Sequence, residues 1–116
     1  MNPRSFVHNL RSYVRVEAIE DIIEMLESPP KNPRPEELTR SKWYRGLSSE
    51  EKAHLAALFG EVADSVLFKV LAILDGVKSI SEEQGDFELH FITENGQRSL
   101  INSSSDMFLH DIYNSE

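Results

Sequence analysis

The longest run of helically spaced apolar positions extends from Ser48 to Gly76 and predicts one long helix. Leu55, Leu58, Phe59, Val62, Val66, Val70 and Ile73 form one side of it, mostly of large and branched residues. Ala53, Ala56, Gly60, Ala63, Leu67, Leu71 and Leu74 continue the apolar arc around the cylinder, and this second side is small in its N-terminal half. An arc that wide predicts neighbours on two sides. Glycine costs a helix interior about 0.5–1 kcal/mol relative to alanine. Gly60 beside Ala53, Ala56, Ala57 and Ala63 therefore predicts the close approach of another backbone. Ser48 with Glu51 fits a capping box at one end, and Gly76 after Asp75 offers the left-handed residue that ends a helix at the other. Phe68 and Ala72 fall in the polar arc with His54, Glu61, Asp64, Ser65, Lys69 and Asp75. Phe68 is expected to be covered by the C-terminal part of the chain; left uncovered, it is an acid-rimmed candidate for partner contact.

Pro3 to Ser28 is also helical in pattern, with a stripe that changes direction. Phe6, Val7, Leu10, Tyr13 and Val14 share one side, whereas Ala18, Ile19, Ile22, Ile23, Met25 and Leu26 point about 100° away. A straight helix cannot show both groups to one neighbour, so either it breaks near Arg15 to Glu17 or its halves pack against different things, a second copy included. Glu17, Glu20, Asp21, Glu24 and Glu27 lie on one face of the second half. That stripe is either a solvated face or a landing site for a basic partner.

Pro29, Pro30, Pro33 and Pro35 then force the chain out of helix geometry, and Pro35 with Glu36 and Glu37 opens a short helix to about Tyr44. Lys31, Arg34, Arg40, Lys42 and Arg45 surround Trp43 and Tyr44 in this connector. The single tryptophan is expected to pin the short helix to the core. The other reading makes Trp43, Tyr44 and Arg45 the rim of a pocket for an anionic ligand or peptide. Beyond Gly76, residues 77–86 read as a loop, and Asp86 to Thr93 alternates as a strand that returns over Arg98 to Asn102. A two-residue turn at Asn95-Gly96 would oppose Glu94 to Gln97 and Phe91 to Leu100, with Phe87, Leu89, Phe91 and Leu100 facing the helices. A serine-rich loop leads to a short helix from Met107 to Tyr113, with Phe108, Leu109, Ile112 and Tyr113 turned inward.

The predicted architecture is α+β in a single domain over 1–116: two long helices, a short connecting helix, a C-terminal β-hairpin and a short terminal helix. Cysteine is absent, which excludes disulfides and thiolate chemistry. A net charge of −8 disfavours nucleic acid and anionic membranes and favours a basic protein partner or none. No stretch of about 18 apolar residues could cross a bilayer, and no signal-like run opens the sequence, so a cytoplasmic protein is expected.

No dinucleotide fingerprint, phosphate loop, nucleophile elbow or zinc-binding helix motif is present, and no cofactor or metal is called for. His90 and His110, the latter beside Asp111, are the candidates for acid–base or metal chemistry, and Glu61 with Asp64 for a shared proton or cation. The runs WYRGLSSEEKAHLAALF, LFKVLAILDGVKSI, GDFELHF and LHDIYN resemble a family of small uncharacterised bacterial proteins over about residues 40–114. The resemblance implies a bacterial, cytoplasmic protein and assigns no catalytic residue. The leading expectation is a non-enzymatic module that binds another protein, through self-association or as an immunity- or antitoxin-like inhibitor of a basic partner. The alternative is a ligand-binding or enzymatic domain built on Trp43, Tyr44 and Arg45 or on His90 and His110.

Overall fold

A computed structural model describes residues 1–102 and 107–116. The fold is α+β, mostly helical, with an antiparallel hairpin near the C-terminus followed by a short helix. Its elements are α1 (Pro3–Asn9), a π-helical segment (Leu10–Arg15), α2 (Val16–Glu27), α3 (Pro35–Arg45), α4 (Ser49–Leu74), β1 (His90–Ile92), β2 (Arg98–Leu100) and α5 (Leu109–Ser115). The chain divides into two compact units, one of Met1–Tyr13 with Ser65–Glu116 and one of Val14–Asp64. Both boundaries fall inside helical segments rather than in linkers.

The N-terminal segment does not break at Arg15 to Glu17. Asn2 caps α1 by accepting from the Ser5 amide at 2.8 Å. The winding then opens to π geometry over Leu10–Arg15 before α2 begins. A π turn holds one residue more than an α turn, which shifts the phase of every later side chain by about 100°. The redirected apolar stripe in the sequence has that same offset.

In the first unit, Val7, Leu71, Ile101, Leu109, Ile112 and Tyr113 form the buried core. Phe6, Leu10, Leu67, Leu74 and Leu89 pack against it. The Arg11 guanidinium lies 4.9 Å from the centre of the Tyr113 ring and donates to the Tyr113 carbonyl at 3.2 Å, filling an acceptor in the last turn of α5. α4 ends in a Schellman arrangement: Gly76, at φ +79°, donates to the Ile73 carbonyl and Val77 to that of Ala72.

The hairpin departs from the expected register. His90 opposes Leu100, Phe91 opposes Ser99 and Ile92 opposes Arg98. The connection is a three-residue loop, Glu94-Asn95-Gly96, with Gly96 at φ +87° and Thr93 donating its amide to the Gln97 carbonyl at 2.8 Å. A type I turn followed by a left-handed glycine closes such a loop, whereas the two-residue turn would need positive φ at Asn95 as well. The one-residue slip turns the return strand over. Ile101 is thereby buried beside Leu89, while Leu100, Phe87 and Phe91 stay exposed rather than facing the helices.

In the second unit, α2 packs on α3. The buried Ser41 hydroxyl donates to the Leu26 carbonyl at 2.7 Å, satisfying the C-terminal turn of α2. Glu37, which accepts from the amide and the guanidinium Nε of Arg34, has its carboxyl pKa lowered, chiefly by the side-chain bond. Ser48 and Glu51 form the expected capping box at the start of α4, with bonds of 2.8 and 3.1 Å. The Ser48 amide is the main reason the Glu51 carboxyl pKa is lowered.

Gly60 is buried, but a guanidinium rather than a backbone approaches it. The Arg15 side chain lies across it and grips Asp64, one turn further along α4, through Nε at 2.7 Å and Nη2 at 3.2 Å.

Candidate interaction surface

The wide apolar arc of α4 is covered on one side only. Gly60, Leu71 and Ala72 are buried and Ala56, Ala63, Leu67 and Leu74 partly so, whereas Leu58, Val62, Val66 and Val70 keep between 48% and 62% of their surface exposed. These four recur every four residues and drift slowly around the helix. Leu55 and Ile73, partly buried, extend the row at its two ends, and Phe59, also partly buried, falls within it between Leu58 and Val62. The expectation of neighbours on two sides is therefore corrected: the small side receives the chain itself, and the large side faces solvent. Glu61, Ser65 and Lys69, all exposed, lie along one edge of the row.

Further apolar surface is open in the second unit. Trp43 is 56% exposed, and Ile22, Met25 and Leu38 also face solvent. Trp43 is not the anchor of α3; the residue after it, Tyr44, is buried and holds Lys52 5.1 Å from its ring centre. The next turn of the helix decides this, because Ser41 and Tyr44 share the inward face and Trp43 falls about 100° away. Arg45 is exposed, with its Nε directed at the Ser41 carbonyl at 3.4 Å. Trp43, Tyr44 and Arg45 thus do not rim one pocket. The groove between α2 and α3 lined by Ile22, Met25, Leu26, Glu37 and Arg40 measures about 90 Å³, well below the roughly 300 Å³ of small ligand sites.

Glu17, Glu20, Asp21, Glu24 and Glu27 on α2 are all exposed. Among the described residues no ion pair engages them, so their field is open to solvent. The basic connector differs, since Arg34 is already held by Glu36 at 3.6 Å and Glu37 at 2.7 Å.

Among the described residues, His90 and His110 share no partner. His90 contacts Glu88 at 2.9 Å. The His110 ring meets Asp75 at 2.6 Å through Nδ1 and Asp111 at 3.4 Å through Nε2. Its ring stacks on Phe108 and takes the edge of Phe68, each at 5.4 Å between centroids. Phe68 is thus half-buried under the C-terminal helix, as its position led one to expect. Among the described residues, no three histidine or carboxylate side chains gather where a metal ion could sit.

Asp75 is the polar residue that sequence reasoning undervalued. Its side chain is only 2% exposed, and it accepts from the amides of Leu109 at 3.0 Å and His110 at 2.9 Å, capping α5 from another element. The carboxylate stands at the negative end of α4, where the dipole opposes it. That misplacement was a signal in the sequence that the group had a partner elsewhere. The caps that the serine-rich loop could offer fall on residues 103–106, outside the described residues.

No family model, no curated protein and no solved structure matches this chain. The functional reading therefore rests on the geometry above. No helix among the described residues is long and apolar enough to cross a membrane.

Proposed function

We propose that this chain is a small cytoplasmic protein-binding module that acts by associating with itself, and that the exposed row of α4 is its contact surface. The carrying observation is the row from Leu58 to Val70: aliphatic side chains about half exposed, in register along one helix, beside an opposite side that is properly packed. Single exposed apolar residues are ordinary on protein surfaces, whereas a contiguous row along a helix is what helix-to-helix association uses. Val66→Glu tests the reading. Sedimentation velocity should show the native chain above monomer mass and the variant at monomer mass, with helix content unchanged by circular dichroism. A native chain that stays monomeric at high concentration overturns it.

The open acidic stripe on α2 favours a second reading, an immunity-type inhibitor that receives a basic protein on Glu17, Glu20 and Glu24. Such binding would weaken steeply as salt screens the stripe, and would be lost on reversing those three charges. Association that is indifferent to both changes would refute it.

A further inference from the structure

Resting on the self-association reading, we infer that the row of α4 pairs with a second copy in antiparallel orientation about a two-fold axis at Asp64, locked by Glu61 of each copy against Lys69 of the other. Two features of the row carry this. The first is its palindromic spacing. Counting outward from Asp64, Val62 mirrors Val66, Leu58 mirrors Val70 and Leu55 mirrors Ile73. A two-fold contact requires that if one residue meets another, the second meets the first on the opposite side. Antiparallel pairing about Asp64 therefore places aliphatic on aliphatic at these three steps, along about 27 Å of helix, and sets Phe59 against Lys69.

The second feature is charge. In antiparallel helix pairs, each edge of the contact faces the same edge of the partner, whereas parallel pairs oppose unlike edges. Glu61 and Lys69 are exposed on one edge. They lie three residues before and five after the midpoint, so the antiparallel pairing brings each Glu61 within about two residues' rise, or roughly 3 Å along the axis, of the other copy's Lys69. Both charges are without an ion pair among the described residues of the single chain. They are eight residues apart, too far to reach each other along one helix. A parallel pair would turn their edge toward Ala56 and Ala63 and leave both charges unmatched.

The exposed aliphatic surface of the row is on the order of 400 Å² per copy, about half of the roughly 800 Å² per partner of an ordinary specific interface, and Glu61, Ser65 and Lys69 add to it.

The test uses two variants of the full chain, Glu61→Lys and Lys69→Glu, alone and mixed. In either homodimer both edge pairs become like charges, and each variant should dimerise roughly tenfold more weakly than the native chain. In the mixed dimer one copy carries lysine at both edge positions and the other carries glutamate at both. Each edge then joins unlike charges again, so an equimolar mixture should recover native dimer mass by sedimentation equilibrium. Circular dichroism of each variant separates this from misfolding. If the native chain is dimeric and Val66→Glu separates it, yet mixing restores nothing, the antiparallel pairing is wrong while the row remains the contact surface. A monomeric native chain overturns both.

Discussion

Gly60 offers the sharpest test of how the second unit is held. A methyl group added there would lie 2.9 Å from Nη2 of Arg15, and the guanidinium would have to move off. Because it is the free end of a long side chain, moving is cheap, but it loosens the two bonds to Asp64. With the Arg15 and Asp64 side chains 26% and 36% exposed, that pair contributes about 0.5–1 kcal/mol. Alanine in place of glycine returns about 0.5–1 kcal/mol of helix propensity. The two effects cancel, so Gly60→Ala should change stability by less than about 0.5 kcal/mol in the native background. With Arg15→Ala already in place, nothing lies over the glycine, and the same substitution should stabilise by the full propensity of about 0.5–1 kcal/mol. Gly60→Leu should cost about 1–3 kcal/mol natively and much less without the arginine. Urea denaturation followed by circular dichroism, at one fixed protein concentration because association would add to stability, measures all of these. If Gly60→Ala has the same effect in both backgrounds, Arg15 does not occupy this place.

Trp43 should emit as a water-exposed indole and be readily quenched by iodide, and Trp43→Ala should cost less than about 0.5 kcal/mol; a blue-shifted, shielded emission would contradict its placement. Asp75→Ala should cost about 2–4 kcal/mol, since it strips the cap from α5 and leaves Nδ1 of His110 without its partner, with Asp75→Asn recovering part of the loss as a neutral cap. Thermal or urea unfolding of the two variants checks the order. Glu51 has its pKa lowered in the folded chain, so the stability it contributes is complete above the ordinary carboxyl value of 4.5 and is lost as pH falls through its lower folded value. A carboxyl titration by NMR should find that lowered value in the native chain and only a partial return toward 4.5 in Ser48→Ala, which removes the hydroxyl but keeps the Ser48 amide.

Where a structural decision is made by neighbours in sequence, the sequence announced it. The capping box at Ser48 and Glu51, the glycine stop at Gly76 and the proline start at Pro35 all depend on a few adjacent residues, and α3 and α4 begin and end within two residues of expectation. The hairpin was legible in place but not in register. Asn-Gly serves both a two-residue and a three-residue loop, and the choice between them moves Ile101 from one face to the other. Periodicity likewise identified the residues of the α4 row as apolar, but it cannot distinguish a face buried by its own chain from one left for another. The aromatic pair Trp43-Tyr44 shows the same limit at finer scale: adjacent residues on a helix face different ways, and composition favoured the larger ring. Asp75 and Arg15 were missed for a different reason. Each reaches a group far away in sequence, and such pairs leave at most an oddity at one end, here an acid at the negative end of a helix.

The amide of Asn102 accepts from the Leu89 backbone N–H at 2.8 Å and donates both its protons, to the carbonyls of Leu74 and Phe87, each at 2.7 Å. Three separate stretches of chain are thereby fastened by one side chain, and the irregular residues 77–88 are held at both ends. In a chain without cysteine this is the work a disulfide does elsewhere: a closed loop whose opening releases several contacts at once. Unlike a disulfide, this clasp is indifferent to reducing conditions. Its failure would be registered in hydrogen exchange, with the Leu89 amide and its cross-strand neighbour Ile101 losing protection in a single opening.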